Sequence, residues 1–261
     1  IGPDPLFSRY PVRGYQSDVN LAGETDTIFK LLDNALKPYL EEKSASVEER
    51  YSHVAAHNKK ERTTRDNVVD SANAGPIGKP WLSYCLGALA NKYNGKITSE
   101  LTTLPQFANF IQPESYYQEA LSGGLCEAFP IALGLQLANR DELVIAAVGD
   151  GSYLFSNPAV CHHIAEVMKL PVLVVVGNNA GWGAVAGGTL ALYPDGYAAK
   201  MDKIPATSFT LSPDLAAIAA SSRAVAMKVD RAEDLLDTLE EAVNIIRTQK
   251  RSVLVDVILG K

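Results

Sequence analysis

The apolar residues of this chain change their spacing along its length, and the changes divide it into segments. Up to residue 22, Pro, Gly, Ser and aromatic residues occur with no steady period. From Thr25 to Leu40, Ile28, Leu31, Leu32, Ala35, Leu36 and Tyr39 recur at helical spacing and predict one amphipathic helix. Charges are dense and apolar residues sparse from Glu41 to Arg65, and turn formers follow in Ala72-Asn-Ala-Gly-Pro-Ile-Gly-Lys-Pro80, so residues 41–75 read as a charged linker. Trp81–Tyr93 reads as a helix, Lys96–Ser99 as a short strand and Ile131–Ala138 as a buried helical segment. Beyond them, Leu143–Val148, Val172–Val176, Ala224–Val229 and Val253–Leu259 are strand-length runs rich in β-branched residues. Helical patterns separate these runs at Asn157–Met168, Asp214–Ser221 and Ala232–Arg247. Near-continuous apolar strands alternating with helices predict an α/β fold, a doubly wound, mostly parallel sheet with helices on both faces.

Composition narrows the function classes. With 47% hydrophobic and 21% charged residues in 261, general disorder is excluded. The 24 Lys and Arg against 30 Asp and Glu leave a net charge of −6 and no basic excess for a phosphate backbone, so no nucleic-acid partner is expected. The longest apolar runs fall far short of the roughly 20 residues that span a bilayer, so no membrane partner is expected either. Three cysteines, Cys85, Cys126 and Cys161, make no disulfide framework and point to a reducing, cytoplasmic setting. The chain starts at Ile1 with neither Met nor a signal segment, and its first element reads as part of something longer.

Ligands of an open parallel sheet sit at the carboxyl ends of its strands. The run ending at Val148 leads into Gly149-Asp150-Gly151-Ser152, which holds a carboxylate and a hydroxyl between glycines that let backbone approach a ligand. The run ending at Val176 leads into Gly177-Asn-Asn-Ala-Gly-Trp-Gly183. An Asp, an Asn and backbone carbonyls form an all-oxygen donor set suited to Mg²⁺, a hard cation completed by water and substrate phosphates. The N–H groups of Gly151, Ser152, Gly183 and Ala184 add anion contacts where helices begin. Together these loops describe a magnesium diphosphate site. His162 and His163 are adjacent and cannot form an i, i+4 metal pair, and His53 and His57 have that spacing but lie in the charged segment, so all four read as structural or surface residues.

Gly149-Asp150-Gly151, 26 intervening residues and Asn178-Asn179 also resemble the signature of the pyrophosphate-binding domain of thiamine diphosphate-dependent enzymes, of the acetolactate synthase and benzoylformate decarboxylase type. Glu114-Ser-Tyr-Tyr, Ser122-Gly-Gly-Leu125 and Phe129-Pro-Ile-Ala-Leu-Gly134 are similar to the stretch that precedes this signature, and Thr98-Ser-Glu-Leu-Thr-Thr103 to the loop that meets the diphosphate. The resemblance implies a metal held by Asp150, Asn179 and the Gly181 carbonyl. It implies a cofactor site formed by Thr102, Thr103, Gly123, Leu125, Gly149, Asp150, Gly151, Ser152, Asn179, Gly181, Trp182, Gly183 and Ala184. Leu125 would force the cofactor into its bent conformation and Gly123 would face the aminopyrimidine. Phe155 stands where some of these enzymes carry a tyrosine on the diphosphate, so another donor must serve. Gly187–Tyr197, with paired glycines, reads as a loop beyond the cofactor, and Trp182, Tyr193 and Tyr197 are candidates for substrate contact.

The same resemblance makes residues 1–40 a remnant of the middle domain and 76–261 the pyrophosphate-binding domain. The glutamate that protonates the aminopyrimidine belongs to a pyrimidine-binding domain, and no acidic residue here matches it. The catalytic glutamate is therefore expected from an N-terminal partner, as a separate chain or a cleaved segment, within a homo- or hetero-oligomer, dimer or tetramer. Expected is a decarboxylase, carboligase or lyase acting on a small 2-oxo acid, 2-hydroxy ketone or related acyl substrate. FAD binding stays open, since relatives that use it do so largely through middle-domain residues. The competing readings are a non-catalytic regulatory or scaffold homologue that keeps the fold, and a Rossmann dehydrogenase, which lacks Gly-x-Gly-x-x-Gly after a strand.

Overall fold

The structure, a computed structural model, describes residues 1–4, 18–118, 124–201, 204–209 and 211–260. It falls into two compact units, 1–63 and 64–261. In the first, Gly2 bridges Ala22, and α1 (Thr25–Glu42) carries the predicted apolar stripe, with Lys30–Asp26 and Lys37–Asp33 pairs on its polar side. The charged segment read as a linker is a 28-residue helix, α2 (Ser44–Ser71), and the boundary between the units lies within it. Periodicity gave no sign of this helix because it has no apolar face. Its Ala, Glu, Lys and Arg content, free of Gly and Pro from Ser44 to Ser71, supplies helix propensity instead.

The second unit contains α3 (Lys79–Tyr93), β1 (Lys96–Glu100), α4 (Pro105–Ala108), β2 (Tyr116–Gln118), α5 (Ala128–Ala138), β3 (Val144–Gly149), α6 (Asp150–Phe155) and α7 (Pro158–Met168). It continues through β4 (Leu173–Asn178), α8 (Gly183–Leu192), α9 (Leu215–Ala220), β5 (Val225–Val229), α10 (Ala232–Gln249) and β6 (Val253–Ile258). The strands form one sheet in the order β2-β1-β3-β4-β6-β5, and every pairing is parallel. Alternate strand residues face opposite sides. Ile145, Ala147, Leu173, Val175, Val253 and Val255 pack with α3 and α10, while Val144, Ala146, Val148, Val174, Val176 and Leu254 pack with α5, α7 and α9. Two buried faces explain why the strands read as continuous apolar runs. The expected doubly wound sheet is thus present, all parallel. Among the described residues, no helix is long and apolar enough to cross a membrane.

The order of the strands turns back between β1 and β3, and the register there places Glu100 opposite Val148 and Gly149 opposite Gly177. The ends of β1, β3 and β4 therefore meet at a topological switch point, the place where such sheets take ligands. Where residues 187–197 were read as a loop, residues up to Leu192 belong to α8. Gly187 and Gly188 weaken its helix propensity, but the surrounding Ala, Val and Leu residues sustain it.

Beneath this edge lies His162, 1% exposed, with Nε2 2.9 Å from the Tyr153 hydroxyl and its ring edge-on to Phe129. It is a core residue, in keeping with its structural reading, and burial pushes its imidazole from the ordinary 6.5 down to about 4. Across that interval the unfolded chain takes up a proton that the folded chain refuses, so stability is lost as pH falls from 6.5 toward about 4. Urea unfolding at successive pH values should show the midpoint dropping over this window, and His162→Phe should flatten the drop. An unchanged slope in the variant would remove His162 as its source.

Candidate functional site

The loops leaving β1, β3 and β4 enclose a cavity of ≈ 450 Å³. Its wall includes Glu100, Leu101 and Thr102 from the first loop, Gly149 to Ser152 from the second, and Asn179 and Gly181 to Val185 from the third. Leu125 completes the apolar side, 42% exposed. Of the residues predicted for the site, the structure thus brings together Thr102, Leu125, Gly149, Asp150, Gly151, Ser152, Asn179, Gly181, Trp182, Gly183 and Ala184 on one cavity wall. Gly123 lies outside the described residues. Tyr193 and Tyr197 are 66% and 92% exposed and are not part of this wall. Phe155, at the end of α6, is exposed as well.

Asp150 ties two of the loops together. Its carboxylate is 2% exposed, with Oδ1 accepting the Gly151 N–H and Oδ2 the Gly181 N–H, both at 3.0 Å. Burial raises its pKa, and these backbone donors act against that rise by favouring the ionised form. Among the described backbone groups the Gly181 carbonyl accepts only the Gly183 N–H, which leaves a lone pair for a cation. The Gly151 and Gly183 N–H groups, expected to face an anion, are thus already engaged by protein acceptors.

The β4 loop is held from below. Asn178 donates from Nδ2 to Asp256 Oδ1 at 2.9 Å and accepts the Ala180 N–H on Oδ1 at 3.0 Å. Ala180 takes φ +57°, and the chain returns to pair with a neighbouring segment, Phe209 N–H to the Ala180 carbonyl and Trp182 N–H to the Thr207 carbonyl. Asn178 is thereby committed to the scaffold, while Asn179 reaches the cavity. Immediately after Leu125 the chain passes through Cys126, buried at φ +70°.

Three of the loop glycines leave room for protein neighbours. A Cβ on Gly151 would lie 2.5 Å from Trp182 Cε3, one on Gly181 2.2 Å from the Thr207 carbonyl oxygen, and one on Gly183 2.5 Å from Asn179 Nδ2. Gly149 alone of these four has open space beside it. At three of these positions, Gly151, Gly181 and Gly183, the missing Cβ makes room for a neighbouring protein group.

Two charged wall residues were missed by sequence reading. Lys79, taken as part of a turn, begins α3, and its Nζ donates to the Leu101 carbonyl at 3.0 Å. Glu100, part of the Thr98–Thr103 motif, is 2% exposed, accepts the Ser152 hydroxyl on Oε1 at 2.7 Å and has no partner for Oε2 among the described residues. Nearby, Thr102 donates to the Glu100 carbonyl at 3.2 Å, and Thr103, which is not part of the wall, has a buried hydroxyl without a partner among the described residues. Among the described residues no three His, Cys, Asp or Glu side chains gather as a metal cluster, so a cation here would rely on one carboxylate, an amide and a carbonyl.

Comparison with known proteins agrees with this architecture. Residues 98–257 match the family described as thiamine pyrophosphate enzyme, C-terminal TPP binding domain. The acetolactate synthase large subunit of Corynebacterium glutamicum is 26% identical over 156 residues, 60% of this chain and 24% of that protein. Acetolactate synthase 2, chloroplastic, of Brassica napus is 29% identical over 135 residues, 52% of this chain and 21% of its own length. The chain therefore spans about a quarter or less of these curated relatives. In fold it is similar to a Rhodococcus jostii RHA1 thiamine diphosphate-dependent 4-hydroxybenzoylformate decarboxylase, with a TM-score of 0.57 and 24% identity, over 71% of this chain and 33% of that one.

The contact between Gly151 and Trp182 gives a direct check on the site's packing. The indole also meets Phe209 edge-on at 5.3 Å, so it has little room to retreat. In a Trp81→Phe background, Gly151→Ala should shift the remaining tryptophan emission and destabilise the chain by about 1–3 kcal/mol. Unchanged emission and stability would mean that the ring does not rest on Gly151.

Proposed function

Given that the chain belongs to the thiamine pyrophosphate enzymes of the acetolactate synthase and benzoylformate decarboxylase type, through their C-terminal cofactor-binding domain, we propose that it holds thiamine diphosphate by way of Mg²⁺ for a decarboxylase, carboligase or lyase. The substrate class is a 2-oxo acid, 2-hydroxy ketone or related acyl compound. The observation that carries this reading is the convergence of Asp150, Asn179 and Gly181 at the meeting of the β3 and β4 ends.

The donor chemistry suits both groups. Asp150 Oδ, Asn179 Oδ1 and the Gly181 carbonyl are hard oxygen donors, and Mg²⁺ binds through few protein ligands together with phosphates and water. A diphosphate presents only acceptors. Thr103, next in sequence to the wall residue Thr102, has a buried hydroxyl without a partner among the described residues that would serve as a donor, and Lys79 adds positive charge to the wall. These two groups serve where Phe155 offers no phenol. Leu125 and Trp182 give an apolar wall on which the organic part of the cofactor rests, with Leu125 enforcing its bend. Gly123 would face its aminopyrimidine. Thiamine diphosphate, when bound, supplies an electron sink for making or breaking a carbon–carbon bond beside a carbonyl.

The chain's own residues bind, orient and exclude water, and the catalytic glutamate comes from a pyrimidine-binding segment, on a separate polypeptide or joined to this one. Trp182, on the wall, is the foremost candidate for substrate contact; Tyr193 and Tyr197 would serve only if that segment closes over α8. A non-catalytic homologue is the weaker reading, because a site without turnover has no physical reason to keep an acid, an amide and three closely packed glycines together.

Calorimetry with thiamine diphosphate and Mg²⁺ on the assembled protein should show metal-dependent binding that Asp150→Ala abolishes. Undiminished binding in that variant would reject the site.

A further inference from the structure

Glu100 is the one wall residue whose chemistry runs against the diphosphate reading. It is an acid at the carboxyl end of β1, nearly fully buried, sharing the cavity wall with Asp150. Half of its carboxylate is accounted for, since Oε1 accepts the Ser152 hydroxyl two residues beyond Asp150. The other half is not: Oε2 is buried and meets no donor in the described protein. Leaving a buried acceptor without a partner carries the full cost of its desolvation, so such an atom in a cavity wall awaits a partner that arrives with the ligand.

The identity of that partner follows from the ligand's chemistry. Diphosphate oxygens are acceptors and repel a carboxylate oxygen. Mg²⁺ dehydrates reluctantly and keeps water in its coordination sphere, and a metal-bound water is a strengthened O–H donor. Building on the magnesium diphosphate reading of the site, we propose that Glu100 is a positioning residue for the metal, its Oε2 accepting a hydrogen bond from a water on the cation that Asp150, Asn179 and Gly181 hold. The same side chain, through Oε1, fixes the Ser152 hydroxyl at the start of α6 and so couples the β1 loop to the loop that carries Asp150. Outer-sphere acceptors of this kind orient the ligands and contribute about 10–100-fold to metal affinity.

The two halves of the carboxylate can be tested separately. Glu100→Gln keeps an oxygen for Ser152 but turns the metal-facing half into a donor; Glu100→Ala removes both. Mn²⁺ is the probe, its binding to the full chain with saturating thiamine diphosphate followed by loss of the free-ion electron paramagnetic resonance signal. Asp150→Ala serves as the reference. Both Glu100 variants should weaken Mn²⁺ binding about 10-fold or more, whereas the thermal midpoint without metal should fall clearly only in Glu100→Ala. Wild-type Mn²⁺ affinity in Glu100→Gln, with Asp150→Ala inactive in binding, would overturn the proposal and leave Glu100 as a scaffold acid for Ser152. Wild-type affinity in Asp150→Ala would instead overturn the metal site on which the proposal rests. Glu100→Asp, which keeps a carboxylate on the same wall, should bind more tightly than Glu100→Ala, and carries the test if Glu100→Gln does not fold; equal affinities of the two would again overturn it.

Discussion

The bond from the Gly181 N–H to Asp150 Oδ2 joins two loops that are 31 residues apart in sequence. Most of what the site can do depends on it. The bond exists because β3 and β4 pair in parallel with Gly149 opposite Gly177, so the first residues beyond each strand emerge side by side. It also sets the electrostatics of the acid. Burial raises the pKa of Asp150, and the backbone donors oppose that rise by favouring the ionised carboxylate.

A second layer of contacts keeps the joined loops in place. Asp256 on β6 orders Asn178, Asn178 orders the turn at Ala180, and the Thr207–Phe209 segment pairs with the far side of that turn. Three glycines allow this density, since Gly151, Gly181 and Gly183 each admit a protein group where a side chain would stand. Changes to alanine at these positions therefore act on the site's shape through protein neighbours. The chain's chemistry is thus divided between a few oxygen donors and a larger number of residues that hold them still.

Much of this was legible in the sequence, and the limits have physical causes. Strands buried on both faces produce unbroken apolar runs, so β3, β4 and β6 stood out, and the loops following β3 and β4 carried the Asp and Asn. β2 has only three residues, too few for any period to register. α2 lacks an apolar face and α8 contains paired glycines, so both were read as irregular. The function of individual residues proved less legible still. Glu100 and Lys79 look like ordinary charged residues in one dimension, and their standing comes from burial and from which wall they reach, properties that the register of β1 against β3 creates. The reason for the glycines was likewise a matter of neighbours distant in sequence.

The central claim, that parallel register brings Asp150, Asn179 and Gly181 to a single cation, is most directly tested by anomalous diffraction from crystals grown with thiamine diphosphate and Mn²⁺. One strong peak is expected, about 2.0–2.3 Å from an Asp150 carboxylate oxygen, the Asn179 amide oxygen and the Gly181 carbonyl. A peak elsewhere, or a bound diphosphate with no metal among these three residues, would contradict it.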